Sequence, residues 1–253
     1  MTSWDPELYL DFDDYRSRPF RDLLARVGAS EPRQVVDLGC GPGHLTGLLG
    51  TRWPAAKISA LDSSAEMVAA ARDRGIAAEQ ADVVDWSPSD DTDVVISNAV
   101  LQWVPEHLEL LPGWLAAMPS DGWFALQVPG NFGAASHELI RELLEEPAWQ
   151  GRVTVRTGDA VPAPTRYAEL ITETGADADV WETTYLHRLT GADPVLNWIS
   201  ATALRPVRDA LGPDDYAAFR AELAPRLRAA YPQQPDGTTW FPFRRIFAVA
   251  HIR

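Results

Sequence analysis

The sequence of 253 residues has little cysteine, little lysine and no long apolar run. Its one cysteine, Cys40, excludes an intramolecular disulfide and a site built from several cysteines, and we expect no metal. No run approaches the ~18 apolar residues that span a bilayer. Residues 1–10 lack the basic start and apolar core of a signal peptide. We therefore expect a cytoplasmic protein without a membrane partner.

Positive charge is also scarce, because 22 Lys and Arg residues face 36 Asp and Glu residues and the net charge is −14. Nucleic-acid binding depends on neutralising phosphates, so we expect no nucleic-acid partner. From residue 187 onward nine arginines outnumber six acidic residues, which leaves −17 on residues 1–186. An arginine fork matches a carboxylate, so this distribution favours a small anionic substrate. A general preference for arginine over lysine explains it equally well.

Short apolar segments alternate with helical patterns in the first half of the chain. Candidate strands end in glycine, aspartate or serine, and helical spacing of apolar residues follows most of them. The predicted strands are 34–38, 57–62, 76–81, 93–97 and 123–128, and the predicted helices are 44–52, 65–74 and 105–118. This alternation predicts a parallel, doubly wound α/β sheet.

Beyond residue 130 the pattern changes. We predict helices at 134–145, 168–174, 194–204 and 213–230, and two strands at 180–189 and 243–251. An antiparallel hairpin of these strands completes a Rossmann-like, seven-stranded sheet that is mostly parallel with an antiparallel last strand. The chain is then one domain, expected to be a monomer, with an N-terminal lid segment (1–30), a cofactor-binding core (31–130), helical lid insertions (131–230) and a C-terminal strand (231–253).

The strongest motif is a buried strand that runs into a glycine loop and then a helix. Three glycines alternate in it, and it reads Val35-Val36-Asp37-Leu38-Gly39-Cys40-Gly41-Pro42-Gly43-His44-Leu45. Glycine allows a ligand to approach the backbone closely, and a ligand is expected outside the end of the first strand. His44 stands where a dinucleotide fingerprint needs glycine. Asp37 is costly inside an apolar strand, and we expect it to accept hydrogen bonds from the glycine loop.

Acidic residues follow the next two strands. Asp62 ends the second strand about 20 residues on, where a carboxylate accepts ribose hydroxyls; a helix cap is the alternative. Asp82 and Val83 follow the third strand, where an acid and a backbone N–H meet an adenine; a solvated loop acid is the alternative. Further candidate cofactor ligands are Ser63, Met67 and Asn98.

The segment 37–43, with Asp62, Asp82 and residues 98–103, resembles the class I S-adenosylmethionine-dependent methyltransferases. More specific segments, at 4–10, 16–19, 97–105, 181–185 and 204–206, resemble the trans-aconitate methyltransferase family over nearly the whole chain. The resemblance implies S-adenosylmethionine as cofactor, with its methionine carboxylate at the glycine loop. It also implies a monomethyl ester of trans-aconitate, a planar tricarboxylic acid, as product.

A carboxylic acid with a pKa of about 4 is ionised at neutral pH, so this reaction needs no general base and no catalytic residue is expected. Arginines would hold the carboxylates that do not react. Adjacent strand residues face opposite sides, so at most one of Arg244 and Arg245 points into the site. The candidate substrate-binding residues are Arg205, Arg244, Arg245, Trp103, Gln102, Tyr15 and Tyr231.

Other functions stay open. A methyltransferase for a hydroxyl compound would need a base near the methyl group, where Asn98 and Gln102 are not basic. A cofactor-binding protein without catalysis would keep the same glycine loop. Methylation of nucleic-acid bases is disfavoured, because residues 97–100 lack the Asn/Asp-Pro-Pro-aromatic run typical of that chemistry.

Overall fold

The computed structural model describes residues 13–155 and 161–253. The strands in these two stretches are β1 (Gln34–Leu38), β2 (Lys57–Asp62), β3 (Ala78–Gln80), β4 (Thr92–Asn98), β5 (Trp123–Pro129), β6 (Asp177–Thr190) and β7 (Thr238–His251). The helices are α1 (Asp13–Leu24), α2 (Thr46–Arg52), α3 (Ala65–Asp73), α4 (His107–Ala117), α5 (Ala135–Leu144), α6 (Pro164–Glu173), α7 (Pro194–Ser200), α8 (Arg205–Ala210) and α9 (Pro213–Ala230).

The seven strands form one sheet in the order β3-β2-β1-β4-β5-β7-β6. Strands β1 to β5 pair in parallel, and β7 pairs antiparallel with both β5 and β6. This confirms the predicted doubly wound sheet with an antiparallel last strand. The strand order reverses at β1, which pairs with β2 on one side and β4 on the other, so the crevice beyond their carboxyl ends is a switch point where ligands bind.

Helices cover both faces of the sheet, and successive residues of β4 show it. Val95 packs into a cluster with residues of α4 and α6. Val94 and Ile96 pack instead into a cluster that contains Phe20 and Leu23 of α1. Successive side chains of β4 point to opposite faces of the sheet, and both faces are buried. This explains why apolar residues follow one another in this strand. Residues 1–12 of the predicted N-terminal lid segment lie outside the described residues.

Several predicted elements differ in their bounds. The third strand is only Ala78–Gln80, because residue 76 closes the end of α3 through its N–H bond to the Ala71 carbonyl. The predicted helix 194–204 ends early, at Ser200. A separate helix, α8, begins at Arg205, and Pro206 lies in its first turn, where the backbone nitrogen has no hydrogen bond to make within the helix. Helix α6 begins at Pro164 for the same reason, four residues before the predicted start.

The hairpin of β6 and β7 extends beyond the end of β5. Pairing of β7 with β5 ends at Arg245, whereas pairing with β6 continues to Thr238. One face of this extension packs against α5, α7, α8 and α9, where Trp198 and Phe241 are fully buried. These helices form the layer predicted as a lid and stand at the carboxyl end of the sheet. In the described part of the chain, no helix is long and apolar enough to cross a bilayer.

Phe241→Ala is expected to lower the free energy of unfolding by about 3–5 kcal/mol, because the lost ring leaves a cavity. Trp240 is its neighbour on β7 and has 45% of its surface exposed, so Trp240→Ala is expected to cost less than about 1 kcal/mol. Urea denaturation followed by circular dichroism measures both values. Equal losses in the two variants would contradict this assignment of the two faces of β7.

Candidate active site

The loop that follows β1 is held against the end of β2. The backbone N–H groups of Gly39 and Cys40 both donate to the carbonyl oxygen of Leu61, each at 2.9 Å. Gly39 has a φ of +86°, and a Cβ atom there would lie 2.3 Å from a methyl carbon of Val100. Glycine is therefore required where the loop turns and passes beneath the segment that follows β4.

Asp62, the last residue of β2, ties the same loop to its strand. Its carboxylate accepts hydrogen bonds from the N–H groups of Gly41 and Ser64, both at 2.9 Å. Burial raises the pKa of Asp62, and these two backbone donors offset part of the rise. A carboxylate has about four acceptor positions, so Asp62 retains capacity for the predicted ribose hydroxyls.

Asp37 has a different partner from the one predicted. The expectation that it accepts from the glycine loop is wrong, because the hydroxyl of Thr46 donates to its carboxylate at 2.5 Å. Thr46 is the first residue of α2, and its position at the start of this helix places its hydroxyl beside Asp37. Only 3% of Asp37 is exposed, and burial raises its pKa to about 6. Burying an ionised carboxylate costs free energy, so this site favours a ligand of opposite charge.

A cavity opens at the carboxyl ends of β1 and β2, and most of the predicted cofactor ligands line it. These are Asp37, Gly39, Gly41, Asp62, Ser63, Met67, Asp82, Val83 and Asn98. We call it the cofactor cavity. Gly43 stands apart from it, because a Cβ atom there would lie 2.9 Å from Ala71 of α3, so this glycine serves loop packing.

The charge of the cofactor cavity distinguishes between kinds of ligand. Three aspartates line it, and the described lining residues include no lysine or arginine. Asp82 accepts from the N–H of Val84 at 3.1 Å and begins a short 3-10 turn. Such a cavity repels a pyrophosphate and suits a ligand that carries cationic groups and hydroxyl or amino donors.

A second cavity lies beside the first, and Asn98, Ala99 and Trp103 line both. We call it the acceptor cavity. Strands β4, β5 and β7, the loop after β5 and helices α5, α7 and α8 contribute its walls. Its other described lining residues are Gln102, Pro129, Asn131, Phe132, His137, Ile140, Arg141, Val155, Trp198, Ile199, Thr202, Ala203, Pro206, Phe243 and Arg245.

The boundary between the two cavities is a tight turn at the end of β4. Ala99 has a φ of +59°, a left-handed conformation that is strained for a residue with a Cβ atom. Its N–H donates to the carbonyl of Gln127 at 2.8 Å, and its own carbonyl accepts from the amide of Gln102 at 2.6 Å. These bonds hold Asn98 at the junction, where its buried Oδ1 has no hydrogen-bond partner among the described residues.

The two adjacent arginines of β7 face opposite sides, as predicted. Arg245 is 6% exposed, lines the acceptor cavity, donates to Gln127 Oε1 at 3.3 Å and lies over the Phe243 ring. Arg244 faces away and binds Glu182, with N···O distances of 3.0 and 2.5 Å. Its guanidinium also donates to the carbonyl of Gly130 at 3.3 Å, so Arg244 anchors the loop after β5 from outside the cavity.

The structure places three other predicted substrate ligands outside the described lining of the acceptor cavity. Arg205 is 8% exposed at the start of α8, and burial lowers the pKa of its guanidinium. The Tyr15 hydroxyl donates to the Arg188 carbonyl at 2.8 Å. The Tyr231 hydroxyl accepts from the Ser136 N–H at 3.0 Å. Tyr15 thus connects α1 to β6, and Tyr231 connects the end of α9 to the start of α5. Gln102 and Trp103, by contrast, line the cavity.

Sequence reasoning missed Asn131, His137 and Arg141, which all line the acceptor cavity. They belong to the loop after β5 and to α5. Burial lowers the pKa of His137 to about 4, and the positive charge of Arg141 contributes to the shift, so this imidazole is neutral at pH 7. A helical pattern over 134–145 was visible in the sequence, but not which face of the helix meets a ligand.

A family model described as a methyltransferase domain matches residues 12–205. The solved structure of the YcgJ protein from Bacillus subtilis superposes with a TM-score of 0.61 at 13% identity, over 94% of this chain and 99% of that chain. The structural likeness shows a shared fold, and the family model shows membership. The chain belongs to the methyltransferase family.

Relatives with high sequence identity indicate a more specific group within the methyltransferase family. The chain is 56% identical over 253 residues to the trans-aconitate 2-methyltransferase of Rhodococcus jostii (strain RHA1), covering 99% of this chain and 100% of that protein. It is 57% identical over 250 residues to the trans-aconitate 2-methyltransferase of Mycobacterium sp. (strain KMS), covering 98% of each. These full-length matches confirm the resemblance recognised in the sequence and place the chain among the trans-aconitate 2-methyltransferases.

Asp37→Asn is expected to raise the free energy of unfolding at about pH 8 by roughly 1–3 kcal/mol. The native pKa of about 6 exceeds the ordinary aspartate pKa of 3.8, so the native state loses stability as the pH rises through this interval and Asp37 ionises. The gain from asparagine should be complete above about pH 7 and vanish below about pH 4. Urea denaturation at both pH values tests this, with the exposed Asp73→Asn as control; a stability difference independent of pH would contradict it.

Proposed function

We propose that the protein transfers the methyl group of S-adenosylmethionine to one carboxylate of trans-aconitate and forms a monomethyl ester. The observation that carries the proposal is the pair of adjoining cavities with opposite charge. Aspartates line one and arginines line the other, and they meet at Asn98 and Ala99. The names of the full-length relatives support the same reaction.

The cofactor cavity fits S-adenosylmethionine on the chemistry of its side chains. Asp37 would face the positively charged amino-acid end, Asp62 the ribose hydroxyls, and Asp82 with Val83 the adenine. The orphaned buried Oδ1 of Asn98 offers one more acceptor at the junction. When bound, the cofactor supplies a sulfonium methyl group that a weak nucleophile can attack.

The acceptor cavity performs placement rather than proton transfer. A carboxylate is already ionised at pH 7, so its oxygen attacks without a base. Arg245 provides a buried guanidinium fork for a carboxylate, and the described lining residues of this cavity include no aspartate or glutamate. Trp103, Trp198 and Ile199 wall the same space and exclude water from the weakly nucleophilic oxygen. Holding the oxygen in line with the methyl group supplies several kcal/mol of rate acceleration.

Methyl transfer from labelled S-adenosylmethionine to trans-aconitate, cis-aconitate, citrate and isocitrate tests the proposal. We expect a base-labile product, with trans-aconitate the best acceptor. Arg245→Gln should lower kcat/KM for trans-aconitate about 10- to 100-fold, because a charge-assisted hydrogen bond contributes ~1.5–3 kcal/mol.

The control for that experiment is Arg253→Gln, which removes an exposed arginine paired with Asp177 at the far end of the sheet. This variant should retain the native kcat/KM. No transfer to any acid from an enzyme that binds the cofactor would overturn the proposed function.

The pH dependence separates a carboxylate acceptor from a hydroxyl acceptor. At saturating cofactor, kcat/KM for trans-aconitate should be constant from about pH 6.5 to about pH 8.5, because neither partner needs deprotonation. Cofactor affinity should fall as the pH drops through about 6, where Asp37 becomes protonated and loses its attraction for a cation. Initial rates and equilibrium dialysis across this range measure the two profiles. A tenfold rise of kcat/KM per pH unit above neutrality would instead indicate a general base.

A further inference from the structure

Asn131, in the loop after β5, presents an unused donor to the acceptor cavity. Its side chain is 3% exposed, and the backbone N–H of Arg244 donates to its Oδ1 at 2.7 Å. That bond fixes which end of the amide is oxygen. The buried Nδ2 has no hydrogen-bond partner among the described residues. A buried amide donor left unpaired costs ~1–3 kcal/mol, so its placement indicates a ligand oxygen.

Arg141 approaches the same part of the cavity from α5. One N–H of its guanidinium donates at 2.8 Å to the carbonyl of Phe132, the residue next to Asn131. This bond holds the guanidinium beside the loop and leaves most of its five N–H groups for other partners. Ten other described arginines form ion pairs with acidic side chains, for example Arg152 with Asp215, whereas Arg141 is not among them.

The described residues that line the cavity around Arg141 carry no negative charge. His137 lies one helical turn away and is neutral at pH 7, since burial and Arg141 both disfavour its protonation. Arg245 contributes a further positive charge from β7. No acidic residue is among the described lining residues, so the cavity attracts more than one carboxylate.

We propose that Asn131 and Arg141 form a second carboxylate subsite, which holds a carboxylate that is not methylated. This inference rests on the proposed function and deepens it. Two anion-binding positions, at Arg245 and at the Asn131–Arg141 pair, select an acid with at least three carboxylates, because a third is then free to meet the methyl group. An acid lacking the carboxylate for this subsite leaves the amide of Asn131 unpaired, and such omissions discriminate strongly between substrates.

Two substitutions test the subsite by different routes. Arg141→Met removes the charge and keeps the length of the side chain, while Arg141→Lys keeps the charge without the fork. Asn131→Asp keeps the oxygen that accepts from Arg244 and replaces the donor by an anion. The matched control is Glu142→Gln, on the exposed side of the same helix. Cofactor affinity, measured by equilibrium dialysis, reports whether each variant retains a folded cofactor cavity.

The measurement is the competitive inhibition of trans-aconitate methylation by three saturated acids, which lack the double bond of the substrate. Tricarballylate has three carboxylates, and glutarate and methylsuccinate each lack one of them. We expect Arg141→Met and Asn131→Asp to raise the inhibition constant of tricarballylate about 10- to 100-fold, with a smaller rise for Arg141→Lys. At least one of the two dicarboxylates should change less than about threefold, because it lacks the carboxylate that the subsite holds.

The outcomes separate the subsite from the reaction itself. If the native enzyme methylates trans-aconitate but the variants leave all three inhibition constants unchanged, or weaken all three equally at native cofactor affinity, the subsite is overturned and the proposed function stands. If the native enzyme transfers no methyl group to any acid, the proposed function fails and the subsite falls with it.

Discussion

The active site depends on one backbone turn, which ends β4 and is held by the hydrogen bond from Ala99 N–H to the Gln127 carbonyl. The left-handed conformation of Ala99 turns the chain so that Asn98 and Trp103 border both cavities. A methyl group passes between two ligands only if they meet at a boundary of this kind. Such strained backbone conformations are common at functional sites, where the surrounding structure holds them in place.

Charge separation follows from the same arrangement. The buried Asp37 and the half-buried Asp62 lie on the β1 and β2 side of the turn, and the buried Arg245 lies on the β7 side. Burial raises the pKa of Asp37, because its ionised form is costly in this desolvated position. In a chain with a net charge of −14, the arginine-lined cavity is a local exception.

The pair Arg244 and Arg245 shows how one strand serves both structure and recognition. Because β7 lies between β5 and β6, one of its faces meets the acceptor cavity and the other meets Glu182 of β6. Arg245 enters the cavity, whereas Arg244 holds Gly130 with its guanidinium and Asn131 with its backbone N–H. The residue outside the cavity therefore positions one inside it.

The strands in the sheet's parallel half and the glycine loop could be read from the amino-acid sequence, and nine of the ten predicted cofactor-binding residues line the cofactor cavity. Most of these residues stand at the end of a strand or just after it, and parallel strands bring their carboxyl ends to one edge of the sheet, so position in the sequence predicts position in the fold. Of the acceptor cavity, the sequence pointed to Gln102, Trp103 and Arg245, and the other walls depend on tertiary packing. Its walls come from segments more than 100 residues apart, and helical periodicity does not tell which face of α5 meets a ligand. Asn131 and Arg141 could not be singled out for that reason, and Tyr15 and Tyr231 were assigned to a cavity that the packing of the helical layer does not let them line.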